Sequence, residues 1–267
     1  MLGKLIGYET KAFGRIMVPL YIAMLSFALF TGLSIRIAPG DVLSGLPGVL
    51  IGTLYGVLML AIIIMTCVLS VTRFYKNLLG QEGYLMFSLP TDTATLIASK
   101  VISVLIWTGL STLVAFMAIA ISALGAGGLE PFREILRLLE IPEVWQKLSQ
   151  LSGVLLLGIL MIIAGTTASI IRIYAGIAIG HQFSDHRILF SIVALIAFNF
   201  IETILSSLMN AIGFYSGLLE SLSKMFEADS IQAICAAQAG AIGFTLFQVA
   251  VFGILTWALL DRRLNLE

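Results

Sequence analysis

Six long apolar stretches alternate with short polar ones along this chain. Spans are expected at Met17–Ile35, Pro47–Val71, Ala94–Leu124, Gly153–Ile171, Ile188–Leu208 and Gly240–Leu260. Each meets the need for about 20 mainly apolar residues across ~30 Å of hydrocarbon. The runs are continuous and do not alternate as barrel strands would, so helices are expected, with every backbone group paired inside its own segment. The expected fold is an all-α membrane protein, a single transmembrane domain over residues 1–267.

Composition agrees with the pattern. Of 267 residues 59% are hydrophobic and 11% charged, against about 25% charged in soluble domains. Mean hydropathy is +1.05. Formal net charge is zero, so no global field attracts nucleic acid. Lysine and arginine are unevenly placed. With the N-terminus inside, the inner segments hold Lys4, Lys11, Arg15, Arg73, Lys76, Lys100, Arg172, Arg187, Arg262 and Arg263, and the outer ones Arg36, Arg133, Arg137, Lys147 and Lys224. That bias fits the positive-inside rule and sets both termini on the cytoplasmic side.

The polar segments carry their own patterns. In "MLGKLIGYETKAFGRIM", Leu2, Leu5, Ile6 and Phe13 share one helical face, and Lys4, Lys11 and Arg15 another. An interfacial helix that anchors the first span is expected; an elbow transmitting motion from a cytoplasmic partner is the functional alternative. In "RFYKNLLGQEGYLMFSLPTDT", Gly80 and Gly83 break the helix after span two, and the apolar cluster Tyr84–Phe87 ends at Pro90. Thr91 or Thr93 can cap the next helix, whose positive end suits Asp92. An apolar cluster there needs either the membrane interface or a partner's groove. In "IRIYAGIAIGHQFSDHR", apolar residues continue past Arg172, so helix four is expected to project beyond the membrane and stop at Gly180. Outside, Phe132, Ile135, Leu136 and Leu139 form one amphipathic stripe, and Tyr215, Leu218, Leu219, Leu222, Met225 and Phe226 another.

Catalytic motifs are absent. The sequence has no GxxxxGK[ST], HExxH, GxSxG or CxxC. No enzyme activity and no cofactor are expected of this chain. His181 and His186 lack a third metal ligand, and Cys67 and Cys235 read as small buried hydrophobes. No internal repeat is found. The clear acid within a span is Glu202, accompanied by Asn199, Thr203 and Ser206. A carboxylate in mid-bilayer costs a few kcal/mol unless paired or protonated. Either it bonds to the "GTTAS" segment of span four (Gly165–Ser169), or it marks a substrate path with Asn199, Thr166 and Thr167.

Three segments, "YETKAFGRIMVPLY", "RFYKNLLGQEGYLMFSLPTDTATLIASKVISVLIW" and "YAGIAIGHQFSDHR", resemble bacterial ABC transporter permease subunits of the six-span exporter type found in Gram-positive bacteria. The likeness runs over nearly the whole chain, and the middle segment is its most specific part. It implies a bacterial cell-membrane protein that pairs with a second permease subunit and docks on a separate ATP-binding subunit. The coupling helix would be "GYLMFSLP", with Gly83, Tyr84, Leu85, Met86 and Phe87 seated in the ATPase. A self-sufficient secondary transporter is one alternative, disfavoured by the lack of repeats, broken spans and paired intramembrane charges; a membrane-embedded enzyme is another, disfavoured by the missing catalytic constellation.

The charge bias generates a topology prediction. In intact cells, a membrane-impermeant thiol reagent should label Glu134→Cys and spare Gln81→Cys. The opposite pattern overturns the orientation.

Overall fold

The computed structural model describes residues 2–37, 46–80, 91–127, 133, 137, 140–183, 186–211 and 228–262. These form six helices: α1 (Leu2–Ile37), α2 (Leu46–Phe74), α3 (Thr93–Gly127), α4 (Pro142–Gly180), α5 (Arg187–Ala211) and α6 (Ala228–Arg262). A π-helical turn, Tyr75–Leu79, closes α2. All six helices are long and apolar enough to cross a membrane, and no strand occurs among the described residues. The chain is an all-α multi-pass membrane protein. The expected spans all lie inside these helices, but several helices run well past them. α1 has 36 residues and α4 has 39, so they are ~54 and ~58 Å long at 1.5 Å per residue. Both exceed the ~30 Å hydrocarbon core by several turns.

The amphipathic N-terminal residues are helical, as expected, and run through Pro19 into the first span with no intervening turn. Glu9, Phe13, Met17, Tyr21, Met24, Ala28 and Thr31 are buried. Their separations of four and three residues make one stripe along the helix, so the same face is covered in both halves.

The chain divides into two compact units, Met1–Ser70 with Ile102–Trp145, and Val71–Val101 with Gln146–Glu267. In the first, α1 lies along the later part of α3. Phe13 stacks on Trp107 with centroids 6.2 Å apart. The Tyr21 and Ser111 hydroxyls share a 2.6 Å hydrogen bond. Further along, the two backbones approach closely at Gly32 and Gly125. A Cβ on Gly32 would stand 2.7 Å from the Ser122 carbonyl oxygen and 2.8 Å from Gly125 Cα. Only glycine permits that crossing distance. The 133–140 segment follows its amphipathic pattern as far as it is described: Arg133, Arg137 and Glu140 are helical and exposed. The stripe residues Phe132, Ile135, Leu136 and Leu139, and the whole Tyr215–Phe226 stripe, lie outside the described residues. Cys67 is exposed and not buried as expected, because it falls on an outward face of α2 among other exposed apolar residues such as Ile63, Ile64 and Val68.

In the second unit, α4 and α5 form an antiparallel hairpin. Phe198 of α5 meets Phe252 of α6 edge-on at 4.8 Å. The buried residues concentrate where α2 ends, α3 begins and α4 ends: Phe74, Leu78, Leu79, Leu96, Ile97, Tyr174, Ala175, Ile177 and Ala178. In contrast, only 6% of the apolar stretches of α5 and of α6 is buried, so most of their surface is left for lipid or for another protein.

The Gly32 crossing generates a prediction. Gly32→Ala places a methyl group against backbone that has no rotamer to escape into, so it should destabilise by about 1–3 kcal/mol. Gly56→Ala, where a Cβ meets nothing within 4 Å, should be neutral. Thermal unfolding of the two purified variants in detergent compares them; equal Tm values would show that the crossing is loose.

Candidate functional site

Two glycines set the α4–α5 register. A Cβ on Gly180 would fall on the Ser191 hydroxyl and within 2.5 Å of the Arg187 carbonyl oxygen. A Cβ on Gly176 would stand 2.7 Å from Leu195 Cδ2. The helices therefore touch closely along Gly176 and Gly180, with α4 descending as α5 rises. One further turn along the same face of α4 stands Arg172, and its guanidinium Nη1 forms an ion pair with Glu202 Oε2 of α5.

Register alone would place Arg172 opposite a position about five residues, or ~7.5 Å, short of Glu202. Side-chain direction closes the gap. Every Cα–Cβ bond tilts toward its own helix N-terminus. In an antiparallel pair, Arg172 thus leans toward Glu202 while Glu202 leans toward Arg172. Arg172 is 16% exposed and Glu202 34%. Either charge alone at this depth would be costly, and pairing offsets much of that cost.

Extended along the helices, the same register places Thr166 and Thr167 near the level of Glu202. Their hydroxyls, however, donate to the Ile162 and Ile163 carbonyls of their own helix at 2.7 Å. Ser169 does the same to Gly165. Asn199 Nδ2 donates to the Leu195 carbonyl at 2.8 Å, and Thr203 to that of Asn199. The polar partner of Glu202 is therefore Arg172 and not the Gly165–Ser169 hydroxyls. Sequence reasoning missed it because Arg172 was read as a headgroup marker. The signal available was the glycine-paced face Arg172–Gly176–Gly180, at four-residue spacing.

The second element is the packed end of this unit. Phe74 stacks on Tyr174 at 4.0 Å with ring planes 8° apart. Tyr75, in the π-turn, lies 5.1 Å from the His181 ring just past α4. Phe183 stacks on Phe190 of α5 at 3.9 Å. Asn77, Leu78 and Leu79 are buried. Gly80 then leaves in an extended conformation so close to its own helix that a Cβ would meet the Lys76 carbonyl at 2.8 Å. On the return side, α3 begins at Thr93. The Asp92 carbonyl accepts from Thr95 N at 2.9 Å and Leu96 N at 3.2 Å, so Asp92 occupies the N-cap position. Thr93 is not the cap; its hydroxyl donates to Asp261 Oδ1 of α6 at 3.3 Å. The Thr91 hydroxyl is buried and has no hydrogen-bond partner among the described residues. Burial, helped by the nearby Arg187 charge, holds the His181 pKa below the ordinary imidazole value, so its ring is neutral at neutral pH. The expected coupling residues Gly83, Tyr84, Leu85, Met86 and Phe87 lie outside the described residues; both attachments of their segment, at Gly80 and at Asp92, are within this packed end.

No group of three or more His, Cys, Asp or Glu side chains placed to hold a metal occurs among the described residues. Comparison with protein-family models, with curated proteins and with solved structures finds no match to this chain.

The ion pair generates a prediction. Glu202→Gln and Arg172→Met should each destabilise the protein by leaving one charge unpaired. The double variant should lose less than the two single losses added together, with a coupling of about 0.5–3 kcal/mol. Denaturant titration of the four proteins in mixed micelles measures this cycle. Strict additivity would mean that the pair carries no net interaction.

Proposed function

We propose that this chain is the membrane-spanning permease subunit of an ATP-driven ABC exporter in a bacterial cell membrane. In this reading it forms the substrate path with a second permease subunit and couples to a separate ATP-binding subunit. The observation that carries the reading is the packed end of the second unit. A connection meant to pass force from a partner into spans must be rooted in something rigid. Residues 81–90 are joined on one side to a buried π-turn and on the other to a helix start tied to α6, and the Phe74–Tyr174 stack links this base to α4. The sequence resemblance identifies the same connection as the coupling helix.

The mechanism is a two-state switch. ATP held between two partner ATPases draws the coupling segments together, and the rigid end turns that displacement into reorientation of α2, α3 and α4. Glu202, Asn199, Thr166 and Thr167 are the candidate path residues, with Arg172 as the counter-charge. A self-sufficient secondary transporter gains one supporting observation, since Arg172 and Glu202 are paired charges within spans; the same experiment separates the two readings.

That experiment is copurification of the ATP-binding subunit with the permease in detergent. A buried aromatic anchor commonly contributes ~2 kcal/mol or more, so Phe87→Ala or Tyr84→Ala should weaken association tenfold or more, at about 1.4 kcal/mol per decade. Charge reversal at Glu82 should act less. The permease's own melt should be unchanged. Full retention of the ATPase by a Tyr84/Leu85/Phe87 triple alanine variant would reduce the segment to a membrane-surface element.

A further inference from the structure

The second unit carries a groove beside its packed end, sharing only Tyr75 with it. It has a volume of about 770 Å³ and is open on one side, lined by Tyr75, His186, Arg187 and the aliphatic residues Ile188, Leu189, Ile192 and Val193. That volume is within the range of small-ligand pockets. We propose that this groove binds one anionic phospholipid, with its headgroup phosphate at Arg187 and His186 and an acyl chain along Ile188, Leu189, Ile192 and Val193.

Three features of the groove fit such a ligand together. Its lining is divided: the polar and cationic groups stand at the start of α5, and the aliphatic ones occupy the next two turns. Its position suits such a ligand, because α5 is long and apolar enough to cross a membrane and begins at Arg187. A cation at the start of an apolar helix reaches for headgroups, and Val193 lies ~9 Å further along the helix. Its backbone polarity matches as well. The first bond of α5 runs from Phe190 N to the His186 carbonyl at 3.1 Å, which leaves the preceding amides at the positive end of a 25-residue helix. Arg187 adds a guanidinium suited to phosphate. A soluble anion would engage only the polar end, and an uncharged chain only the aliphatic wall. An amphiphile with an anionic head satisfies both. Bound there, it would bridge Tyr75 of the π-turn and the first turns of α5. This inference requires only the multi-pass membrane fold and is independent of the exporter reading.

Native mass spectrometry of the full chain, in micelles containing equal amounts of phosphatidylglycerol and phosphatidylcholine, tests it. The wild type should retain a single phosphatidylglycerol in about tenfold preference, the scale of one charge-assisted contact. Arg187→Gln should abolish most of that preference, whereas Lys11→Gln should keep it. Ile192→Trp, which fills the groove and leaves the cation in place, should lower retention of both lipids, and decides the matter if Arg187→Gln does not fold. Glycerol phosphate should not displace the lipid. Equal retention of the two lipids by the wild type, undiminished preference in Arg187→Gln, unchanged retention in Ile192→Trp, or displacement by glycerol phosphate would each overturn the proposal.

Discussion

A guanidinium and a carboxylate inside apolar helices are tolerable chiefly as partners, and much of the second unit follows from that constraint. Arg172 meets Glu202 because α4 and α5 run antiparallel with the two residues on facing sides. Gly176 and Gly180 allow that arrangement by removing the side chains that would hold the helices apart. Once α4 is fixed in this way, the orientations of Tyr174 and His181 are fixed too, and these two rings receive Phe74 and Tyr75 of α2. A charge pair in the span thereby helps decide how the end of α2 is held.

The packed end and the exposed spans do different physical work. The end is dense with buried aromatic and aliphatic side chains, and its helix termini are tied by directional contacts such as Thr93 to Asp261. α5 and α6 are nearly bare along their apolar stretches. In lipid there is little hydrophobic drive between helices, so association there depends on close packing and polar contacts.

Much of the fold was legible in the sequence. Apolar runs of twenty or so residues have few outcomes in a bilayer, so number, type and approximate position of the six helices followed directly. The stops at Gly80 and Gly180 were legible because each glycine ends an apolar run beside polar residues. Helix lengths were harder to read: hydropathy marks the part of α1 or α4 that sits in hydrocarbon and is silent on turns that continue beyond it. Threonine and aspartate are both good caps, so the sequence offered Thr91 or Thr93; the backbone bonds from Thr95 and Leu96 to the Asp92 carbonyl place the cap at Asp92. Of the site, Glu202 was legible as an acid in a span that needs a partner; which residue supplies that partner was not. Arg172 was overlooked because an arginine near the end of an apolar run usually reaches for headgroups, and a pairing between helices depends on a register that single-sequence periodicity does not contain.

The π-turn at Tyr75–Leu79 has a consequence for how chain length governs direction. A π-turn accommodates one more residue per turn than the α-helix it interrupts. Because the wider turn takes up that extra residue, the residues on either side keep nearly the azimuths of an uninterrupted helix. A chain one residue shorter between Arg73 and Gly80 would close this stretch as ordinary α-helix and leave Gly80 facing nearly the same way. One residue more, with no further wide turn to absorb it, would swing Gly80 by about 100° around the axis, so single-residue deletions here should be better tolerated than insertions.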